Sequence, residues 1–281
     1  MKCLHVRKIH KEVNTMLEKI IIILIGVVMS STCFANQATK AEIVTINGKN
    51  IYYEVYGKGK PLFLLHGYTQ SSKAWRDHVN DYINEYQVYL VDLSGHGKSD
   101  AFTETLSIKK VADDLNRLIQ HLKLEKINAF GFSYGGDVLY QLALINPSLI
   151  ESMITIGSLG SWSIKDYPEI KKSFTYEIAK DYPWIKDAHK SDEQVRIMFE
   201  QFKNYSVRLS NEDLKRIKTN VLIVAGDNDQ GVPLEEVIRS RKYLPNSDLW
   251  IIPNIGHGGH DAENKEEFVR VSKIFLDAVA R

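Results

Sequence analysis

Apolar positions recur along this chain with two periods, and the changes from one to the other mark out its elements. Ala41–Ile46 and Asn50–Tyr56 carry alternating apolar and aromatic residues on either side of Asn47-Gly48, which predicts an antiparallel hairpin. Leu62–Leu65 is a short continuous apolar run of the kind buried in a parallel sheet, and Val88–Val91 and Ile127–Phe130 read the same way. Between them lie a polar and aromatic helical stretch over 72–84 and a helix capped by Ser107. The apolar residues of that second helix, Ile108, Val111, Leu115, Leu118, Ile119 and Leu122, share one face. A helical pattern follows Phe130 and ends at Asn146, before Pro147; the strand Ser152–Ile156 comes next. Beyond residue 217 the alternation resumes with Val221–Ala225, a helix, Leu249–Ile252 and a closing helix bearing Phe268, Val271, Phe275 and Ala278 on one side. Strands alternating with helices of this length predict an α/β protein with a mostly parallel central sheet and helices on both faces.

The rhythm breaks over 158–217. Two helical patterns occur there without a strand between them. One is built on Tyr167, Ile170, Phe174 and Ile178, the other on Val195, Met198, Phe199 and Phe202, with Asp181-Tyr182-Pro183-Trp184 between. This segment reads as a helical cap inserted between core parts 36–157 and 218–281. Its aromatic residues serve first as its own core. Trp162, Tyr167, Tyr182 and Trp184 are also candidates to line a pocket, because the insertion starts and ends where parallel strands present their carboxyl ends.

Residues 1–35 have a different character. A basic lead to Lys19 precedes the ten apolar residues Ile20–Met29 and the small, polar stretch Ser30–Ala35, which is the pattern of an export signal cleaved after Ala35. Met16 gives an alternative, more compact start. The uncharged stretch is shorter than the roughly 20 residues a spanning helix needs, so the expectation is a secreted or periplasmic protein, with an uncleaved membrane anchor as the competing reading. Both cysteines, Cys3 and Cys33, fall in this leader, so the mature chain would have no disulfide, thiol nucleophile or cysteine metal site. The composition of the full chain is ordinary for a globular protein, with 44% hydrophobic and 25% charged residues. The balance of 36 basic against 35 acidic residues gives no footprint for nucleic acid.

The candidate chemistry lies at strand ends. Gly131-Phe132-Ser133-Tyr134-Gly135-Gly136 places a serine on a sharp turn between strand and helix, where small neighbours allow tight folding and leave the hydroxyl accessible. As an isolated string it is also an ordinary turn. A serine hydroxyl is a weak nucleophile at neutral pH; it needs an imidazole to take its proton and a carboxylate to orient that imidazole. Acids follow a later strand, at Asp227 and Asp229, and histidines follow the last one, at His257 and His260. Gly95-His96-Gly97-Lys98-Ser99 lacks the upstream glycine spacing of a phosphate loop, and no metal cluster or dinucleotide fingerprint is present, so no cofactor is implied.

Together with Leu65-His66-Gly67-Tyr68, Asp92-Leu93-Ser94-Gly95-His96-Gly97-Lys98-Ser99, Gly226-Asp227-Asn228-Asp229 with Val232-Pro233, and Gly256-His257, the serine turn resembles the α/β-hydrolase family over the whole mature chain. The resemblance is to its serine esterase and lipase-like branch with a short helical cap. It implies Ser133 as nucleophile, Asp229 rather than Asp227 as acid, and His257 rather than His260 as base. It also implies an oxyanion hole from the backbone N–H groups of Tyr68 and Tyr134, with His66, Gly67, Gly131 and Gly135 supporting the site. His66, His96 and Asp92 are expected to hydrogen-bond loop backbone. The expected partner is a small or medium ester or acyl compound. An aminopeptidase, a C–C bond hydrolase, a perhydrolase, or a ligand-binding receptor with little turnover are the alternatives on the same residues.

Overall fold

Every central strand sends alternate side chains to opposite faces, and the two sets end in two separate apolar cores. Phe63, Leu65, Ala129, Met153, Val221 and Ile223 belong to one core. Leu62, Leu64, Phe130, Phe132, Ile154, Leu222 and Val224 belong to the other. This is period-two geometry with both faces covered, which explains why the strand sequences look continuously apolar. The structure is a computed structural model that describes residues 37–158 and 160–279. The predicted export leader lies outside the described residues.

Strands β1 (Lys40–Ile46), β2 (Lys49–Tyr56), β3 (Lys60–Leu65), β4 (Tyr86–Val91), β5 (Ile127–Phe132), β6 (Ile150–Ile156), β9 (Asn220–Gly226) and β10 (Ser247–Ile252) form one sheet in the order β1-β2-β4-β3-β5-β6-β9-β10. Strand β2 pairs antiparallel with β1 and β4; the pairs from β4 through β10 are all parallel. The helices Ile108–His121 and Tyr134–Ile145 cover the first face through Val111, Leu115, Leu118, Val138, Leu139 and Leu142. The closing helix Lys265–Val279 covers the second with Phe268, Phe275 and Leu276, beside Trp75, Val79 and Tyr82.

Two stretches differ from the helical expectation. Over 72–84 the chain forms a 3-10 helix, Ser72–His78, followed by a single turn, Val79–Tyr82. In 3-10 winding residues three apart eclipse, which places the buried Trp75 and His78 on one side, edge-on with ring centroids 5.0 Å apart. In the cap, the first predicted pattern divides into two short helices, Pro168–Ser173 and Ile178–Asp181, and a third, Pro183–Ala188, forms in the stretch between the two patterns. Proline occupies the first position of two of them, and the preceding Tyr182 is held out of the helical region at φ −125° and ψ 77°. The second pattern is the helix Asp192–Phe202, capped by Ser191. The cap also contains a ribbon that three-residue strands hide from periodicity: β7 (Ser161–Ser163) pairs antiparallel with β8 (Ser206–Arg208) and ties the two ends of the insertion together. Among the described residues no helix is long and apolar enough to cross a membrane.

The serine turn depends on close backbone contact. A Cβ on Gly135 would lie 2.5 Å from the Leu65 carbonyl oxygen, and one on Gly131 would lie 2.5 Å from the carbonyl carbon of Gly135. Backbone cannot yield as a flexible side chain can. Gly135→Ala is therefore expected to lower the unfolding free energy by about 1–3 kcal/mol, the range for an overpacked core, measured as a lower urea midpoint.

Candidate active site

Ser133 stands between the last residue of β5 and the first residue of the helix Tyr134–Ile145, at φ 50° and ψ −112°. A non-glycine residue there is strained, and such strain is retained only where the surroundings fix it. Here the Ser133 N–H donates to Ile156 O at 2.7 Å, and the Asp137 N–H donates to Ser133 O at 3.1 Å. Tyr134 opens the helix, so its N–H is one of the donors without an intrahelical acceptor.

The acid and base come from the neighbouring strand ends. Asp229 follows β9; its side chain is buried, and Oδ1 accepts the Gly231 N–H at 2.9 Å. Its Oδ2 lies 2.7 Å from His257 Nδ1. An ionised carboxylate only accepts, so Nδ1 carries the proton and Nε2 presents its lone pair. That Nε2 is buried and makes no hydrogen bond within the protein. His257 and Ser133 meet around β6: Ser133 is bonded to Ile156, while a Cβ on the next residue, Gly157, would lie 2.9 Å from the His257 ring. Phe132, immediately before the serine, has its ring 5.0 Å from that of His257. The chain thus brings Ser133, Asp229 and His257 to one edge of the sheet.

The rival residues are placed elsewhere. Asp227 Oδ1 accepts the Asn254 N–H at 2.6 Å, a bond between two loops. His260 is fully buried with its ring against Trp75 and Phe132, at 4.5 and 4.6 Å, and burial pushes its pKa well below the ordinary histidine value. His66 donates from Nδ1 to Gly67 O at 2.8 Å and accepts the Leu93 N–H at Nε2, 3.1 Å away. Burial lowers its pKa to about 4, so it stays neutral and fixes the loop before Tyr68. His96 is held through Nδ1 by Ser94 O at 3.2 Å. Asp92 accepts backbone N–H groups from Ser72 and Lys98 at 2.6 and 2.7 Å. Gly67 lies where a Cβ would come 2.9 Å from the Phe132 ring.

The cap aromatics pack together and onto the core. Trp162 stacks on Tyr167 at 5.2 Å and stands edge-on to Tyr205 at 5.3 Å; Tyr182 and Trp184 pack against the first of the two apolar cores. Among the described residues no group of three histidine, cysteine or acidic side chains could hold a metal ion.

A family model described as alpha/beta hydrolase fold matches residues 60–194. Among solved structures, an alpha/beta hydrolase enzyme from a Medee basin deep-sea metagenome library superposes with a TM-score of 0.72 at 23% identity, over 84% of this chain and 97% of that one. The chain has the α/β-hydrolase fold. A soluble epoxide hydrolase of a Corynebacterium species is 32% identical over 114 residues, which span 41% of this chain and 40% of that relative. A putative non-heme chloroperoxidase of Synechocystis is 28% identical over 83% of this chain and 98% of its own length. A pimeloyl-[acyl-carrier protein] methyl ester esterase of Proteus mirabilis is 26% identical over 61% of this chain and 63% of its own length.

The hydrolase fold adds two carboxylates that the sequence reading did not single out. Asp137 is buried in the helix that follows Ser133, where its Oδ2 accepts the Tyr205 hydroxyl at 2.8 Å and its Oδ1 the Gly160 N–H at 3.1 Å. An aspartate within the apolar run Gly136–Ile145 was the available signal. Asp261 is raised to about 6 by burial and lies near enough to His257 for their charges to interact. Burial by itself would lower the pKa of His257. The Asp229 carboxylate, through charge and hydrogen bond, and the charges of Asp137 and Asp261 outweigh it and leave the histidine above 6.5. An NMR titration of the His257 Cε1–H should show its midpoint above 6.5 in the wild type. Asp229→Asn removes the main opposing charge and should move that midpoint down, while Asp227→Asn leaves it in place.

Proposed function

We propose that this α/β hydrolase cleaves small or medium carboxylic esters through an acyl-enzyme intermediate on Ser133. The observation that carries the reading is the buried His257, held at Nδ1 by Asp229 at 2.7 Å with Nε2 unpartnered, beside a serine on a strained strand-to-helix turn. In this reading Nε2 takes the Ser133 proton as Oγ attacks the acyl carbon, and Asp229 stabilises the imidazolium that forms. The N–H groups of Tyr68 and Tyr134 stabilise the oxyanion. His257 then returns the proton to the departing alcohol, and a water activated by the same nitrogen releases the acid. The likeness to a methyl ester esterase supports an ester as substrate, and a serine in the turn disfavours the alkyl-enzyme chemistry that an aspartate would give.

The likeness to a putative non-heme chloroperoxidase over 98% of its length favours a second reading on the same residues. Hydrogen peroxide in place of water would release a peracid from the same acyl-enzyme. A peracid assay with acetate and peroxide separates this from simple hydrolysis. Residues 1–35 support a secreted or periplasmic location within the proposal.

Hydrolysis of 4-nitrophenyl esters of graded chain length tests the assignment. Ser133→Ala should lower kcat by roughly a millionfold and Asp229→Asn by about ten-thousandfold. Asp227→Asn should remain near the wild-type rate; a crippled Asp227→Asn with a mild Asp229→Asn would move the acid to Asp227. The dependence of kcat/KM on pH should rise through a midpoint above 6.5, because the base acts only when neutral.

A further inference from the structure

The loop that carries Tyr68 is under strain. Thr69 has φ 68°, a left-handed backbone that β-branched residues rarely adopt. It holds the third position of a turn closed by the Gln70 N–H donating to Gly67 O at 3.2 Å, where glycine or asparagine is usual at positive φ. Such a conformation persists only when its surroundings over-determine it. Several of those constraints are local. The Gly67 N–H donates to Gln70 Oε1 at 3.0 Å, His66 Nδ1 donates to Gly67 O at 2.8 Å, and the Thr69 hydroxyl donates to Tyr68 O. One constraint comes from the cap. The Tyr68 hydroxyl donates to Met198 O, in the helix Asp192–Phe202, at 2.8 Å, with both residues buried. The Tyr68 ring also packs on Phe202 and Tyr205 at 5.0 and 5.8 Å, and stands edge-on to Tyr134 at 5.2 Å. The cap is in turn tied to the helix behind Ser133, because Asp137 accepts from Tyr205 near one end of the insertion and from Gly160 near the other.

We propose that Tyr68 is a positioning residue through which the seated cap sets the oxyanion hole: its hydroxyl anchors the side chain to Met198 O, and the backbone N–H of the same residue is thereby held in place. The inference rests on the serine-hydrolase reading above. It assigns the cap a part in the chemical step, in addition to any part in choosing substrates. The phenolic O–H acts as a neutral donor, since burial holds the Tyr68 pKa well above its ordinary value.

The test is the inactivation of Tyr68→Phe by a fluorophosphonate, which forms its adduct at the same serine and directs its P=O oxygen to the same N–H groups. Phenylalanine keeps the ring contacts and removes only the hydrogen bond. The maximal inactivation rate should fall roughly tenfold, less than the hundred- to thousandfold for outright loss of an oxyanion donor. The concentration giving half-maximal rate should stay within about twofold, as expected when only transition-state stabilisation is lost. The pH midpoint, set by His257 and Asp229, should not move. An unchanged maximal rate, a loss carried by the half-maximal concentration, or a shifted pH midpoint would overturn the proposal. If Tyr68→Phe does not fold, Tyr205→Phe, which removes one of the two bonds that tie the cap to Asp137 and leaves Tyr68 intact, is judged by the maximal rate and the half-maximal concentration, because Asp137 also bears on His257. Failure of the wild-type protein to label at Ser133 would instead overturn the reading on which the inference rests.

Discussion

The close approach of backbone to backbone at the turn after β5 is the constraint on which the site depends. Without side chains at Gly131 and Gly135, the helix Tyr134–Ile145 packs directly against its own strand and against β3 at Leu65. That contact fixes Ser133 in a conformation it would not adopt alone, and it directs the first N–H groups of the helix toward the same edge of the sheet. A further glycine, Gly157, leaves the space that the His257 ring occupies.

Electrostatics then sets what the geometry can do. Burial of an imidazole favours its neutral form, whereas a carboxylate 2.7 Å from Nδ1 favours the charged form and selects the tautomer. The second influence wins at His257, which has acids around it. It is absent at His66, which has only neutral backbone partners and falls to about 4. Two buried histidines in one site thus differ in role because of the single partner each lacks or has. Asp137 belongs to both halves of this account, since it ties the cap to the helix behind the nucleophile and adds negative charge near the base.

Much of this was legible in the sequence because the relevant residues are punctuation. The hairpin at Asn47-Gly48, the apolar strands, the Ser107 cap and the strand-end motifs each carry a local physical reason for their conformation. Parallel strands present their ends along one edge, which put an acid after β9 within reach of a histidine after β10, and the family resemblance singled out Asp229 and His257 among the candidates. The cap was less legible. The eleven-residue helix Asp192–Phe202 registered, but the helices before it are only four to six residues long and the ribbon has three per strand, too short for periodicity to show. Thr69 gave no sign at all, because its strain is imposed by a turn whose form depends on contacts distant in sequence. Asp261 was hidden for the same reason, and Asp137 showed only as an acid within an apolar helix; the importance of both lies in burial and in partners supplied by other segments.

The central claim is that Ser133 becomes covalently acylated during turnover. Mixing the protein with a 4-nitrophenyl ester, quenching in acid within the first turnover and mapping peptides by mass spectrometry tests it directly. The account predicts one acyl mass, confined to the peptide that contains Ser133. Steady hydrolysis with the acyl group on another residue, or with none on any residue while the acyl-enzyme should accumulate, would contradict it.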